Sequence, residues 1–122
     1  MAERSKQERN RAMIYDIQSE REFDEKIGNG EGWMLLDFFA SWCRPCKLMA
    51  SVLEKADEAM AGEVAFFRID VDLMEDFAEN FHLVGVPTFI LFKNGQEKGR
   101  IIGYNDTHTF MEKLRGLMEE KE

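Results

Sequence analysis

The only cysteines in the chain, Cys43 and Cys46, stand three residues apart in Trp42-Cys43-Arg44-Pro45-Cys46-Lys47. Thiols so placed can cycle between a dithiol and a disulfide, exchanging electrons with a second disulfide through a mixed-disulfide intermediate. An apolar run precedes the pair and a helical repeat follows it, so the cysteines fall at a strand-to-helix junction. At a helix N-terminus the unpaired backbone N–H groups and the macrodipole favour an anion, which makes Cys43 a nucleophile near neutral pH. Cys46, one turn into the helix, is expected to be the less exposed thiol, to reach back to Cys43 and to resolve the mixed disulfide. Pro45 falls in the first helical turn, where its missing N–H costs little and its fixed φ stiffens the turn. Arg44 sets a positive charge beside the thiolate, which favours the reduced form and shifts the couple towards a more oxidising potential.

Other chemistries compete for the same residues. A C-x-x-C pair can be half of a zinc site, but tetrahedral zinc needs further ligands, and His82 and His108 lack knuckle-like spacing. Two inert buried thiols, or a structural disulfide, are the remaining readings. The flanking Trp, Arg, Pro and Lys argue for an exposed turn, and a structural disulfide does not suit a cytoplasmic chain. Asp37 is the one charge in the apolar run before the cysteines. Its side chain is expected beneath the cysteine-bearing helix, where a desolvated carboxyl could relay a proton to or from Cys46; a structural pairing with Arg68 or Lys47 is the alternative. Val86-Pro87 stands where a strand should begin, and either a cis or a trans bond is compatible with that place. His82 and His108 have no partner constellation and read as filler, and the methionines read as core packing.

The elements that must position these residues follow from periodicity. Met13 to Ile17 collects β-branched and aromatic residues and reads as a strand; Ser19 and Glu22 form a capping box for a short helix ending near Gly28. Trp33 to Phe39 lacks alternation, as expected for a central strand covered on both faces. Leu48, Met49, Val52, Leu53, Ala56 and Met60 recur at helical spacing until Gly62. Val64 to Asp70 is a second buried strand, parallel to the first, and Met74, Phe77, Ala78 and Phe81 make a short helix. Phe89–Phe92 and Gly99–Ile102 flank Asn94-Gly95, a hairpin signal, and Asp106 introduces a C-terminal amphipathic helix. The order is βαβαβαββα, an α/β fold with a central mixed sheet and helices on both faces.

With 122 residues the chain suits one domain, expected over 12–122, preceded by a flexible polar arm over 1–11. Its 44% hydrophobic content supports a core, and its net charge of −8 opposes delivery to nucleic acid or an anionic membrane. No run approaches the ~20 apolar residues of a membrane span, and the opening dozen residues are too polar for a secretory signal. The expected location is the cytoplasm.

Over about residues 13–120 the chain resembles the thioredoxin family. The resemblance is carried by Leu36 to Lys47, by Val86-Pro87-Thr88, by Phe92-Lys93-Asn94-Gly95 and by Gly103, all in family order. It implies Cys43 as nucleophile, Cys46 as resolving thiol, Asp37 as buried acid/base, and a cis Pro87 facing the cysteines. It also implies a substrate groove formed by Trp42, Arg44, Pro45, Gly85, Val86, Pro87, Ile102 and Gly103, with Val86 pairing with an extended substrate. Arg68 matches a position often occupied by lysine near the buried carboxylate, and with Lys47 supplies supporting charge. No cofactor or metal is implied beyond the dithiol. The chain departs from the usual pattern at Arg44 in place of glycine, Ser51 in place of a proline, and Phe39 in place of a second Trp.

The function that follows is protein-disulfide reduction by a monomer recharged by a thioredoxin reductase. A disulfide oxidase or isomerase is an alternative prompted by Arg44 and Val86. A binding subunit or chaperone with dispensable thiols is another, prompted by the N-terminal arm and the methionines.

Overall fold

The computed structural model describes residues 14–119, so the expected arm over 1–11 lies outside the described residues. The elements are β1 (Tyr15–Ile17), α1 (Glu20–Phe23, continued by a π-helical turn over Asp24–Gly28), β2 (Trp33–Phe39), α2 (Arg44–Ala59), β3 (Val64–Asp70), α3 (Glu75–Glu79), β4 (Thr88–Lys93), β5 (Gln96–Ile102) and α4 (Thr107–Met118). The five strands form one sheet in the order β1-β3-β2-β4-β5. β3 pairs in parallel with both β1 and β2, while β4 runs antiparallel to β2 and β5. The expected order and mixed sheet are present.

Strand alternation sorts the core into two layers. Leu35, Phe66, Phe89, Leu91 and Ile101 face Met49, Val52, Leu53 and Ala56 of α2 and Phe110 and Leu114 of α4. Leu36, Phe38, Ile69, Ile90 and Phe92 face the opposite way, against Phe23, Ile27, Phe77 and Phe81. β2 is buried on both faces because each is covered by helix, which is why its sequence is a run and not an alternation. Each fully buried Phe or Leu contributes about 1.5–3 kcal/mol of transfer free energy, so this double layer is the main source of stability.

The local signals act as their chemistry dictates, with several boundaries moved. Ser19 caps α1 by accepting from the Glu22 N–H, but the Glu22 carboxylate reaches the N–H of Gln18, one residue earlier than a reciprocal capping box requires. Asn94 and Gly95 both have positive φ, 52° and 84°, as the hairpin turn demands. At Gly95 a Cβ would also fall 2.2 Å from the Gly28 carbonyl oxygen, so the turn packs where only glycine fits. Two expected elements are shorter: β1 begins at Tyr15, with Ile14 outside the strand and Met13 outside the described residues, and α3 stops at Glu79 with Phe81 in the following turn. Phe81 still packs against Phe23, Phe38 and Phe77, so its apolar signal reported burial instead of helix. No helix among the described residues is long and apolar enough to cross a membrane.

Candidate active site

β2 ends at Phe39 and α2 begins at Arg44, and the cysteines occupy that corner. Cys43 is the N-cap residue of α2, with extended backbone, and its sulfur accepts a hydrogen bond from the Cys46 N–H at 3.2 Å. An orphan helix N–H therefore points at the sulfur on which a negative charge would form. Arg44 and Pro45 fill the first two helical positions, both exposed. The pair is closed as a disulfide, with Cα atoms 5.3 Å apart.

One expectation is corrected. Cys43 is no more exposed than Cys46: the two are 3% and 4% accessible. Ala40 is buried with them, and Phe39, Val71 and Val86 pack against the cluster, so neighbouring loops cover the expected nucleophile in this oxidised form.

The loop before β4 lies across the cysteines. The Val86–Pro87 bond is cis, and the Val86 carbonyl oxygen is 3.7 Å from Cys43 Sγ. Thr88 donates its hydroxyl to the Gly85 carbonyl at 2.6 Å, tying the loop to the strand it starts. Gly103, with φ of 81°, donates its N–H to the Pro87 carbonyl at 2.9 Å. The structure thus brings Val86, Pro87 and Gly103 together beside Cys43, with Ile102 half exposed next to them. Trp42 is 69% exposed, and its indole N–H donates to Asp72 Oδ2 at 2.8 Å. Asp72 is a site residue that sequence reasoning missed; nothing in local spacing links it to Trp42. Leu73, Val84 and Tyr104, next in sequence to Asp72, Gly85 and Gly103, are exposed as well.

Asp37 shares the β2 face of Leu35, the face covered by α2, as expected, and is 2% exposed. Its Oδ2 accepts from Arg68 Nε at 3.4 Å while Oδ1 is buried without a partner. Burial pushes its pKa up from 3.8 to about 7, against the pull of the Arg68 charge. Arg68 is held in turn by Phe39, whose ring centroid is 3.9 Å from the guanidinium carbon. Lys47 is exposed, and the cation paired with Asp37 is Arg68. A cleft of about 350 Å3 is lined by Cys46, Lys47 and Arg68 among others, so it adjoins both the buried cysteine and the cation paired with Asp37. His82 and His108 are both on the surface. Among the described residues no group of three or more His, Cys, Asp or Glu side chains is arranged to hold a metal ion.

Comparison with known proteins bears on the whole domain. A family model described as Thioredoxin matches residues 15–116. Thioredoxin-2 of Saccharomyces cerevisiae is 37% identical over 93 residues, covering 76% of this chain and 88% of the relative. Thioredoxin of Mycobacterium tuberculosis is 41% identical over 85 residues, covering 70% of this chain and 73% of the relative. The crystal structure of Malassezia sympodialis thioredoxin superposes with a TM-score of 0.73 at 31% identity, covering 87% of this chain and 89% of that one.

Proposed function

The chain belongs to the thioredoxin family, and from that premise we propose how its residues divide the work. It is a thiol-disulfide oxidoreductase, and its reaction is the reduction of protein disulfides. In the reduced protein the Cys43 thiolate attacks one sulfur of a substrate disulfide. That bond breaks, the distal substrate sulfur leaves as a thiolate and takes a proton from water, and a mixed disulfide to Cys43 remains. The Cys46 thiol gives its proton to Asp37 and, as a thiolate, attacks Cys43 Sγ; the second substrate sulfur leaves as a thiolate and is protonated from water, and Asp37 returns its proton to solvent. Two electrons have then passed to the substrate, and the chain is left as the Cys43–Cys46 disulfide.

The observation that carries this division is the Cys46 N–H donated to Cys43 Sγ at the N-cap of α2, which favours charge on Cys43 and not on Cys46. Asp37, with a pKa near 7, is matched to taking and returning a proton at neutral pH. Trp42, Val86, Pro87, Ile102 and Gly103 form the groove for an extended substrate segment, with Gly85, Arg44 and Pro45 at its edge. Arg68 positions and biases Asp37, and Lys47 adds positive charge beside Cys46. The protein works as a monomer in the cytoplasm, recharged by a thioredoxin reductase, with neither nucleic acid nor membrane as a partner.

Insulin reduction tests the assignment. Cys43→Ser should abolish turnover, while Cys46→Ser should trap the mixed disulfide; full activity in Cys43→Ser would overturn the reading. Arg44, exposed at the first position of α2, favours a second reading as an oxidase or isomerase. Equilibration in glutathione and dithiothreitol buffers, followed by Trp42 fluorescence, decides between them. A couple more reducing than the cytosolic glutathione pool supports the reductase, and a clearly more oxidising one supports the alternative.

A further inference from the structure

The redox chemistry leaves one cleft unused. It opens at the N-terminal ends of β2 and β3, encloses about 480 Å3, and is lined by Glu31, Trp33, Asp57, Glu63 and Val64 among others. The cysteines lie at the opposite end of β2, about 20 Å away along a seven-residue strand. Asp57 reaches the cleft from α2, where it lies four residues beyond Leu53 on the apolar stripe that continues to Met60. Helix geometry therefore presses a carboxyl against the core at a position where an apolar side chain would be buried without cost.

Asp57 is 2% exposed, and its Oδ2 is buried with no hydrogen-bond partner. A buried carboxyl oxygen without a donor is costly, and Asp57 is at the same time one of the residues that line the cleft. The lining contains three acidic side chains and no basic one, so the potential there favours a cation. A bare divalent ion is a poor match, because it needs about six oxygen ligands and no acidic group of the required geometry exists among the described residues. Trp33 and Val64 add apolar wall, and the Trp33 ring already accepts one ammonium, that of Lys93 at 4.8 Å from its centroid. With 2% of its surface exposed, Asp57 can offer the cleft no more than an edge of its carboxylate, which suits the point charge of an ammonium better than the two-pronged fork of a guanidinium.

We propose that this cleft binds a primary alkylammonium group, with its nitrogen on the Asp57 carboxylate and its alkyl stem against Trp33 and Val64. The group belongs either to a free amine or to a lysine side chain presented by a partner protein. Both have the same head and stem, and snorkelling along an apolar wall is natural to each.

The test is a titration of the 15N-labelled, oxidised full-length chain at pH 8 with n-butylammonium, and separately with Nα-acetyl-lysine methylamide, at constant ionic strength. Saturable shifts should gather at Gly32, the Trp33 indole and Ala61 to Ala65, with a Kd on the order of 1–10 mM for so small a ligand. Asp57→Asn, nearly isosteric, should weaken binding about tenfold or more. n-Butanol carries the same stem without the charge and should not reproduce the shifts, which keeps the test decisive if the variant fails to fold. Absence of saturation, shifts centred on Cys43–Cys46, equal binding by n-butanol or Asp57→Asn, or tighter binding of ethylguanidinium would each overturn the proposal. Binding of the free amine alone identifies a small-molecule source; equal binding of the lysine derivative supports a protein side chain.

Discussion

Asp37 and Asp57 are buried carboxyls at opposite ends of the same strand-and-helix layer, each 2% exposed and each with one oxygen lacking a partner. Burial raises both pKa values, to about 7 for Asp37 and about 6 for Asp57. Their surroundings then diverge. Asp37 has Arg68 at 3.4 Å, and the cleft beside Arg68 reaches Cys46. Asp57 has the neighbouring negative charge of Glu58, which raises its pKa further, and a cleft with acidic walls. Desolvation makes a carboxyl able to hold a proton near neutral pH, but only the groups facing it decide whether that proton has anywhere useful to go.

Removing the charge at Asp37 should separate the two carboxyls most clearly. A carboxyl whose native pKa exceeds its unfolded value stabilises the fold fully below about pH 4, and that contribution is lost as pH rises through about 7. Asp37→Asn should therefore gain about 2–4 kcal/mol over the parent at pH 8 and show little gain at pH 4. Urea unfolding at the two pH values measures this, and equal gains at both would show that packing and not ionisation is responsible. The same variant should slow substrate release from the mixed disulfide about ten- to a hundredfold at pH 7 and lose the break near that pH. Asp57→Asn should keep that break, because its cleft does not adjoin a cysteine.

Arg68 acts on the same carboxyl as its charged neighbour. Arg68→Gln removes the charge that holds the Asp37 pKa down, so the break in the pH–rate profile should move upward by about 0.5–1 pH unit. Arg68→Lys should restore most of that shift. A profile that stays in place in Arg68→Gln would mean that the contact at 3.4 Å carries no electrostatic coupling.

How much of this was readable beforehand depends on the range of the interaction. The β2 run, the Asn94-Gly95 turn and the Asp106 cap were readable because each is a local rule obeyed by neighbouring residues. Asp37 was readable as the lone charge in an apolar strand. The cover over Cys43 was not, since Val71 and Val86 arrive from elements far away in the chain. Asp72 was hidden for the same reason, its link to Trp42 spanning 30 residues. Asp57 does leave a signal, a charge four residues after Leu53 on an otherwise apolar helical stripe, but a single charge on such a stripe does not by itself say whether the carboxyl is buried or turned to solvent.

Asp57 should give the mildest change, and its size matters because a cleft adjoins the residue. With its pKa raised to about 6, Asp57 also contributes stability below about pH 4 that is lost as pH rises through 6. Its pKa is raised less than that of Asp37, to about 6 and not about 7, so Asp57→Asn should gain less at pH 8, on the order of 1 kcal/mol. An alkylammonium should supply part of that gain to the parent protein and none to the variant, since a ligand that binds only the native state stabilises it by mass action. Thermal unfolding with and without n-butylammonium at pH 8 reads both effects in one series. A gain at Asp57 as large as that at Asp37 would mean that the two carboxyls are equally desolvated and that the cleft contributes nothing to holding the charge.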